Sequence, residues 1–347
     1  MSKQIGVGVI GLGIISQAHL KTIVNNKNLK LIAVSDRDVQ KAETVAKRYR
    51  CKFFVDNMSL IEDPEIELVV LLTPPGFYEK LIPACALNGK HVMAEKPVGT
   101  NMDKINSYLK LCKEKGIKLS IVSQHRFDTS SIYAKSKIDE GVLGNISIAN
   151  CIVNWYRNDE YYDSWHNNRE MAGGGVLAIQ AIHTIDLLLW FLGDVHSVKG
   201  CTTRIRKKDI DVEDTAAASI RFVNGSLAVI SATTCAYPGM PARLEILGDQ
   251  GSITIEGENL LLRTLNFGSD SITYNENNEV SYLNPGKIST KSLNAQYEDL
   301  VQAIKRNIDP LVSGEEAKKT YQVIDAIYQS CRTGKEIKLS ELEEAKV

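Results

Sequence analysis

Continuous apolar runs alternate with helically spaced apolar positions through the first 124 residues. KQIGVGVIG, at residues 3–11, predicts a first strand, and Ser16–Asn26 places Ala18, Ile23 and Val24 at helical spacing. LKLIAVSD predicts a second strand, followed by a helix over Val39–Tyr49. CKFFVD, ELVVLLT, HVMAEK and IKLSIVS read as four more strands, with helices over Glu79–Leu87 and Met102–Lys115. Asn88-Gly89 and Gly116 stand where helix C-terminal caps are expected. Strands without polar alternation are covered on both faces. Six of them alternating with helices predict a doubly wound parallel sheet.

The pattern changes after residue 124. A helix over Ser130–Glu140 precedes the long strand ISIANCIVNWY and an irregular aromatic loop, Arg157–Gly175. One strongly apolar helix follows, Val176–Leu192. VHSVKGCTTR, TAAASIRF, SLAVISATTC, RLEILGD and SITIEG then read as strands, with Asn224-Gly225 as a hairpin turn. Two closing helices are expected, Ser292–Asn307 with a stripe of Leu293, Tyr297, Leu300, Val301 and Ile304, and Glu315–Cys331. The expected architecture is a parallel Rossmann domain over 1–124. A second α+β domain over 125–347 carries a large, mostly antiparallel sheet covered by helices.

Composition narrows the classes. The chain has 347 residues, with 41 Lys plus Arg against 42 Asp plus Glu, so no charge excess marks a nucleic-acid or anionic-membrane partner. No apolar run approaches the roughly 18 residues needed to span a bilayer. The seven cysteines are dispersed without a Cys-x-x-Cys pair, which predicts neither a disulfide framework nor a zinc site, and a cytoplasmic setting. No metal is expected.

Gly11-Leu12-Gly13-Ile14-Ile15-Ser16 joins the first strand to the first helix. Gly11 permits the tight turn and Gly13 lets a pyrophosphate approach the backbone at a helix N-terminus. Asp36 closes the second strand, where a carboxylate accepts ribose hydroxyls and repels a 2′-phosphate. Arg37 beside it suits a 2′-phosphate instead. The reading favours NAD, with NADP as the alternative.

Thr73-Pro74-Pro75, Glu95-Lys96-Pro97 after Gly89-Lys90-His91-Val92, and Gly173-Gly174-Gly175 before a helix carrying His183 and Asp186 complete a specific set. Along essentially the whole chain it resembles the glucose–fructose oxidoreductase / inositol dehydrogenase (Gfo/Idh/MocA) family. The resemblance implies an NAD(P)-dependent oxidoreductase of sugars, cyclitols or sugar derivatives. The cofactor lies on the first domain and faces a cleft against the second domain's sheet, with Lys96 and His183 on opposite walls at the reacting carbinol. It also implies a homodimer or homotetramer joined through the second sheet. Two departures stand out. Ile179 occupies a position where the family commonly has Asp or Asn, and Tyr78 one where many relatives have His.

The expected assignments follow. Lys96 is the general acid/base at a strand end, where open parallel sheets bind ligands. His183 holds or relays the proton, with Asp186, one helical turn on, suited to orient it. Ile179 is packing. Gly11, Gly13, Ile14, Ile15, Asp36, Arg37, Thr73, Pro74, Glu95, Lys96 and Gln124 hold the cofactor. The loop 154–169 carries Trp155, Tyr156, Arg157, Tyr161, Tyr162, Trp165, His166 and Arg169, suitable walls for the CH faces and hydroxyls of a sugar. Tyr156, Arg157 and Trp165, with Arg126 and Tyr237, are expected at the substrate beside Lys96 and His183. His166 and Tyr237 are the reserve proton carriers. A sugar-nucleotide 3-dehydrogenase and an enzyme that retains and recycles NAD are alternatives within the same fold. A non-catalytic NAD(P)-binding sensor or scaffold is the alternative from another class.

Overall fold

The computed structural model describes residues 3–206, 209–257, 259–265, 268–272 and 290–344. They form two compact units, Met1–Gln124 with Pro285–Lys318, and His125–Asn284 with Lys319–Val347.

In the first unit the strands are β1 (Ile5–Ile10), β2 (Leu29–Ser35), β3 (Lys52–Phe54), β4 (Leu68–Leu71), β5 (His91–Ala94) and β6 (Leu119–Ile121). They pair in parallel in the order β3-β2-β1-β4-β5-β6. Sequence order reverses between β1 and β4, the switch point at which doubly wound sheets open a ligand crevice. β1 and β4 are buried at every position, as their unbroken apolar sequence requires.

By compactness the segment 290–318, within the expected second domain of 125–347, groups with the first unit. The stripe Leu293, Tyr297, Leu300 and Val301 of helix Thr290–Arg306 joins the core formed by Val7, Val9, Leu20 and Ile23. A stripe on an amphipathic helix fixes that it will be buried, not against which neighbour. Gln296, fully buried, accepts the Ser123 N–H (3.0 Å) and donates to the Ile121 carbonyl (2.8 Å), so this helix also braces the end of β6.

The second unit is built on a nine-stranded sheet. Its strands are β7 (Ile146–Asn154), β8 (Val195–Thr203), β9 (Thr215–Phe222), β10 (Leu227–Thr233), β11 (Arg243–Gly248), β12 (Gly251–Glu256), β13 (Asn259–Thr264), β14 (Gly268–Ile272) and β15 (Ile337–Lys338). The order is β14-β13-β12-β11-β7-β10-β9-β8-β15, antiparallel throughout except where β10 runs parallel to β7. β9 alternates buried and exposed positions, so one face packs inward. The helix Ile182–Leu192 packs into that core through Ile185, Leu188 and Leu192.

The run Arg169–Leu192 holds an 18-residue window apolar enough for a bilayer span, but 83% of that window is buried within the fold. It is apolar all round because the core surrounds it.

Candidate active site

In the first unit the glycine turn is set by close backbone approach. Gly11 has φ +95°, and a Cβ there would stand 2.9 Å from the Leu72 carbonyl carbon. Gly13 faces open space, with nothing within 4 Å of its Cβ position. Ile14 is exposed and Ile15 half-buried. Ile15 stands at the N-cap of the helix Ser16–Asn25 and makes no side-chain cap, so no side chain claims the N–H groups of its first turn. Asp36 accepts the Leu12 N–H at 2.7 Å through Oδ2 and the Asp38 N–H at 2.9 Å through Oδ1, which fixes its carboxylate beside the glycine turn. Arg37 is exposed.

Thr73 and Gln124 follow β4 and β6 at the same sheet edge. The Oγ1 of Thr73 and the Oε1 of Gln124 are buried and have no hydrogen-bond partner within the protein. Buried polar atoms are rarely left so. A dinucleotide offers the amide and ribose groups that would satisfy them, so these residues fit the cofactor that the glycine turn implies.

Glu95 and Lys96 end β5 in a network that spacing alone did not reveal. Fully buried His19, on the first helix, meets Glu95 Oε1 at 3.2 Å through Nε2 and the Tyr297 hydroxyl at 2.7 Å through Nδ1. Glu95 Oε2 accepts the Lys96 N–H at 3.2 Å, and Tyr78 donates its hydroxyl to the Glu95 carbonyl at 2.8 Å. Tyr78, the residue that stands in place of a histidine, is therefore a brace for this strand end. Burial alone pushes the Glu95 carboxyl up, but the His19 hydrogen bond, with the His19 and Lys96 charges, holds it below the ordinary range. A carboxylate depressed in the folded state contributes stability above its unfolded pKa of about 4.3, lost as pH falls through the lower folded value. We expect Glu95→Gln to flatten the acid limb of the pH–stability curve below about pH 4. Denaturant titrations across that range check it, and an unchanged limb contradicts the assignment.

In the second unit the Gly173-Gly174-Gly175 run exists to seat a helix on Glu213. A Cβ at Gly175 would fall 1.8 Å from the Glu213 carbonyl oxygen. The Glu213 carboxylate accepts the N–H groups of Gly175 (3.0 Å) and Leu177 (3.1 Å) and the Tyr328 hydroxyl (2.7 Å). Burial nevertheless leaves its carboxyl raised, against the pull of those donors. Gly175→Ala should displace the helix start and lower both stability and turnover. Melting curves and kinetics on the same preparation check this, and a variant equal to wild type in both would refute it.

From that seat Leu177–Ala181 form a π-helical turn, a feature frequent at functional sites, and Ile182–Leu192 continue as α-helix. Ile179 is 7% exposed. Gln180, His183 and Thr184 line a recess of about 570 Å³, mouth included, with His125, Trp155 and the apolar wall of Leu187, Leu244 and Ile255. The rings of His125 and His183 stand edge-on, 5.3 Å apart. Trp155 Nε1 is buried with no acceptor in the protein, a donor suited to a ligand hydroxyl. Gln180 donates to the Tyr161 hydroxyl at 2.7 Å.

The other expected substrate residues are placed differently. Arg126 is 2% exposed, and its guanidinium holds Asp186 in two bonds of 2.8 and 2.7 Å while Thr320 donates to the same carboxylate at 3.0 Å. Asp186, expected to orient His183, is thus built around Arg126. Arg157 is buried, stacked near the rings of Trp155 and Tyr161, and donates to the Tyr156 carbonyl. Tyr156 and Tyr237 pack edge-on at 5.1 Å, with Arg206 over the Tyr156 ring. Trp165 stacks on His166 at 3.9 Å. Tyr156, Trp165 and Tyr237 are not among the residues that line the recess.

Comparison with known proteins accounts for most of the chain. Residues 5–123 match the model of an oxidoreductase family's NAD-binding Rossmann fold, and residues 135–339 that of the same family's C-terminal alpha/beta domain. The chain is 26% identical to the myo-inositol 2-dehydrogenase of Thermotoga maritima, over 97% of this chain and 99% of the relative. It is 28% identical to the NAD(+) scyllo-inositol 2-dehydrogenase of Bacillus subtilis, over 74% and 75%. A crystal structure of the WlbA dehydrogenase of Bordetella pertussis with NADH and UDP-GlcNAcA superposes with a TM-score of 0.83, at 26% identity, over 97% of this chain and 99% of that one. With both family models matched in order along the chain, it belongs to the Gfo/Idh/MocA family of oxidoreductases.

Proposed function

We propose that the protein is an NAD-dependent dehydrogenase that oxidises a secondary alcohol of a sugar, a cyclitol or a derivative of one. The observation that carries the reading is the pair of orphaned buried oxygens, Thr73 Oγ1 and Gln124 Oε1, on the sheet edge that also presents the glycine turn and Asp36. Inositol dehydrogenases among the relatives support the substrate class. When bound, the nicotinamide supplies the hydride acceptor. The chain's own residues then orient the alcohol and manage its proton. Lys96, half-buried at the end of β5, takes a hydrogen bond from the reacting hydroxyl and carries its proton, and His183 holds or relays it. Trp155 Nε1 and Gln180 meet the remaining hydroxyls.

The same reading includes a reducing, cytoplasmic setting, supported by seven unpaired cysteines, and a homo-oligomer. A sugar nucleotide is the second candidate substrate, favoured by the likeness to the Bordetella dehydrogenase crystallised with UDP-GlcNAcA.

Cofactor choice tests the first unit alone. With Asp36 fixed beside the glycine turn, NAD(H) should show the higher kcat/KM, and Asp36→Ala should erode the preference over NADP(H). Titration of both dinucleotides by fluorescence, alongside kinetics, decides it. A wild type that prefers NADP(H) would make Arg37 the dominant contact.

A further inference from the structure

Resting on the dehydrogenase reading, we propose that His125, held by Asp128, is a second imidazole of the recess and passes the substrate's proton from His183 to water. Three observations converge on it. First, Asp128 stands at the N-cap of the helix Thr129–Asp139 yet makes no side-chain cap. Asp is among the preferred N-cap residues because its carboxylate satisfies the first N–H groups. Here that carboxylate turns back to His125 Nδ1 at 2.7 Å. Second, Asp128 is 7% exposed at its side chain while His125 is 29% exposed. The anchor is thus buried and the imidazole reaches solvent. Third, the His125 ring lies edge-on to His183, and both line one recess.

The chemistry follows from the hydrogen bond. A carboxylate accepts, so the Nδ1 of neutral His125 carries the hydrogen and Nε2 is left as the basic nitrogen. Oxidation of a secondary alcohol breaks one C–H and one O–H bond. The hydride leaves to the nicotinamide with the C–H electron pair, and the O–H proton must reach solvent. The turn of helix before His183 offers Ile179, which carries no proton. His125 and His183 are the titratable side chains that line the recess, and the Arg126 guanidinium is bonded to Asp186 on the same helix as His183. His125 Nε2 takes the proton from His183 while Asp128 steadies the resulting imidazolium, and releases it to water with no net change in the protein. His125 therefore acts through His183 and not on the substrate.

The test uses the full-length chain with ¹⁵N-labelled histidine, wild type and the variants His125→Asn and Asp128→Asn, first without cofactor. Long-range ¹H–¹⁵N spectra should show neutral His125 protonated at Nδ1. Asp128→Asn should lower the His125 titration midpoint by about one unit, the loss of a carboxylate neighbour, and His125→Asn should raise that of His183. A second arm measures kcat across pH on the alcohol the wild type oxidises best. His125→Asn should lower kcat roughly 10–100-fold with KM within a few-fold, and added imidazole should restore part of it. An Nε2–H tautomer in His125, a His183 midpoint indifferent to residue 125, or an unchanged kcat profile in His125→Asn overturns the relay alone. A wild type that oxidises no alcohol overturns the dehydrogenase reading and the relay with it.

Discussion

Lys96→Ala is expected to lower kcat by about 10²–10⁴-fold, the usual loss when a positioned general acid/base is removed. NAD affinity should change far less, because the glycine turn, Asp36, Thr73 and Gln124 remain. The reason lies in how β5 ends. Glu95 is held by His19 and by the Tyr78 hydroxyl, and in turn accepts the Lys96 N–H, so the backbone that carries the lysine is fixed from three directions. The ammonium can then be delivered to one place. Steady-state kinetics and dinucleotide titration on the same preparation check the split. A variant within threefold of wild type in kcat would move the proton to another group, with His183 of the recess the next candidate.

Arg126→Ala should cost about 3–5 kcal/mol of stability, the range for removing one partner of a buried ion pair. The guanidinium and the Asp186 carboxylate are 2% and 6% exposed. Removing the arginine takes two charge-assisted hydrogen bonds from a buried carboxylate that also accepts from the Thr320 hydroxyl. Replacing both members by apolar residues of similar volume, Arg126→Met with Asp186→Leu, should recover most of that loss, since the desolvation cost of the pair disappears with it. Urea unfolding of the three proteins decides the matter. A single variant as stable as wild type would show that the pair contributes nothing, and a double variant no better than the single would assign the loss to packing.

How much of this was legible in the chain depends on the distance over which each feature is determined. The six parallel strands, the glycine turn and Asp36 are local patterns, and the expected strands over 3–11, 29–36 and 67–73 meet β1, β2 and β4. The helix Thr290–Arg306 was legible as a helix but not as a member of the first unit, because its stripe records burial and not the partner. β13 and β14 extend the edge of the sheet and were not expected. β13 depends on hydrogen bonds offered by β12, and β14 on those offered by β13, which no local periodicity in this stretch announces. The His19–Tyr297 contact joins residues 278 apart. Asp186 illustrates the limit most clearly. Spacing put it one turn from His183, and its bond with Arg126, 60 residues away, had no local signal. The His125–Asp128 pair, by contrast, had a local signal in its i, i+3 spacing that the aromatic loop overshadowed.

The central claim, hydride transfer from a sugar-like alcohol to NAD, is tested most directly by mixing the purified protein with NAD and a panel of cyclitols, hexoses, anhydrosugars and sugar nucleotides, and following the near-ultraviolet absorbance of reduced nicotinamide. The prediction is steady NADH formation with at least one panel member, lost in Lys96→Ala. Tight NAD binding with no reduction by any member would contradict it and favour a non-catalytic nucleotide-binding role.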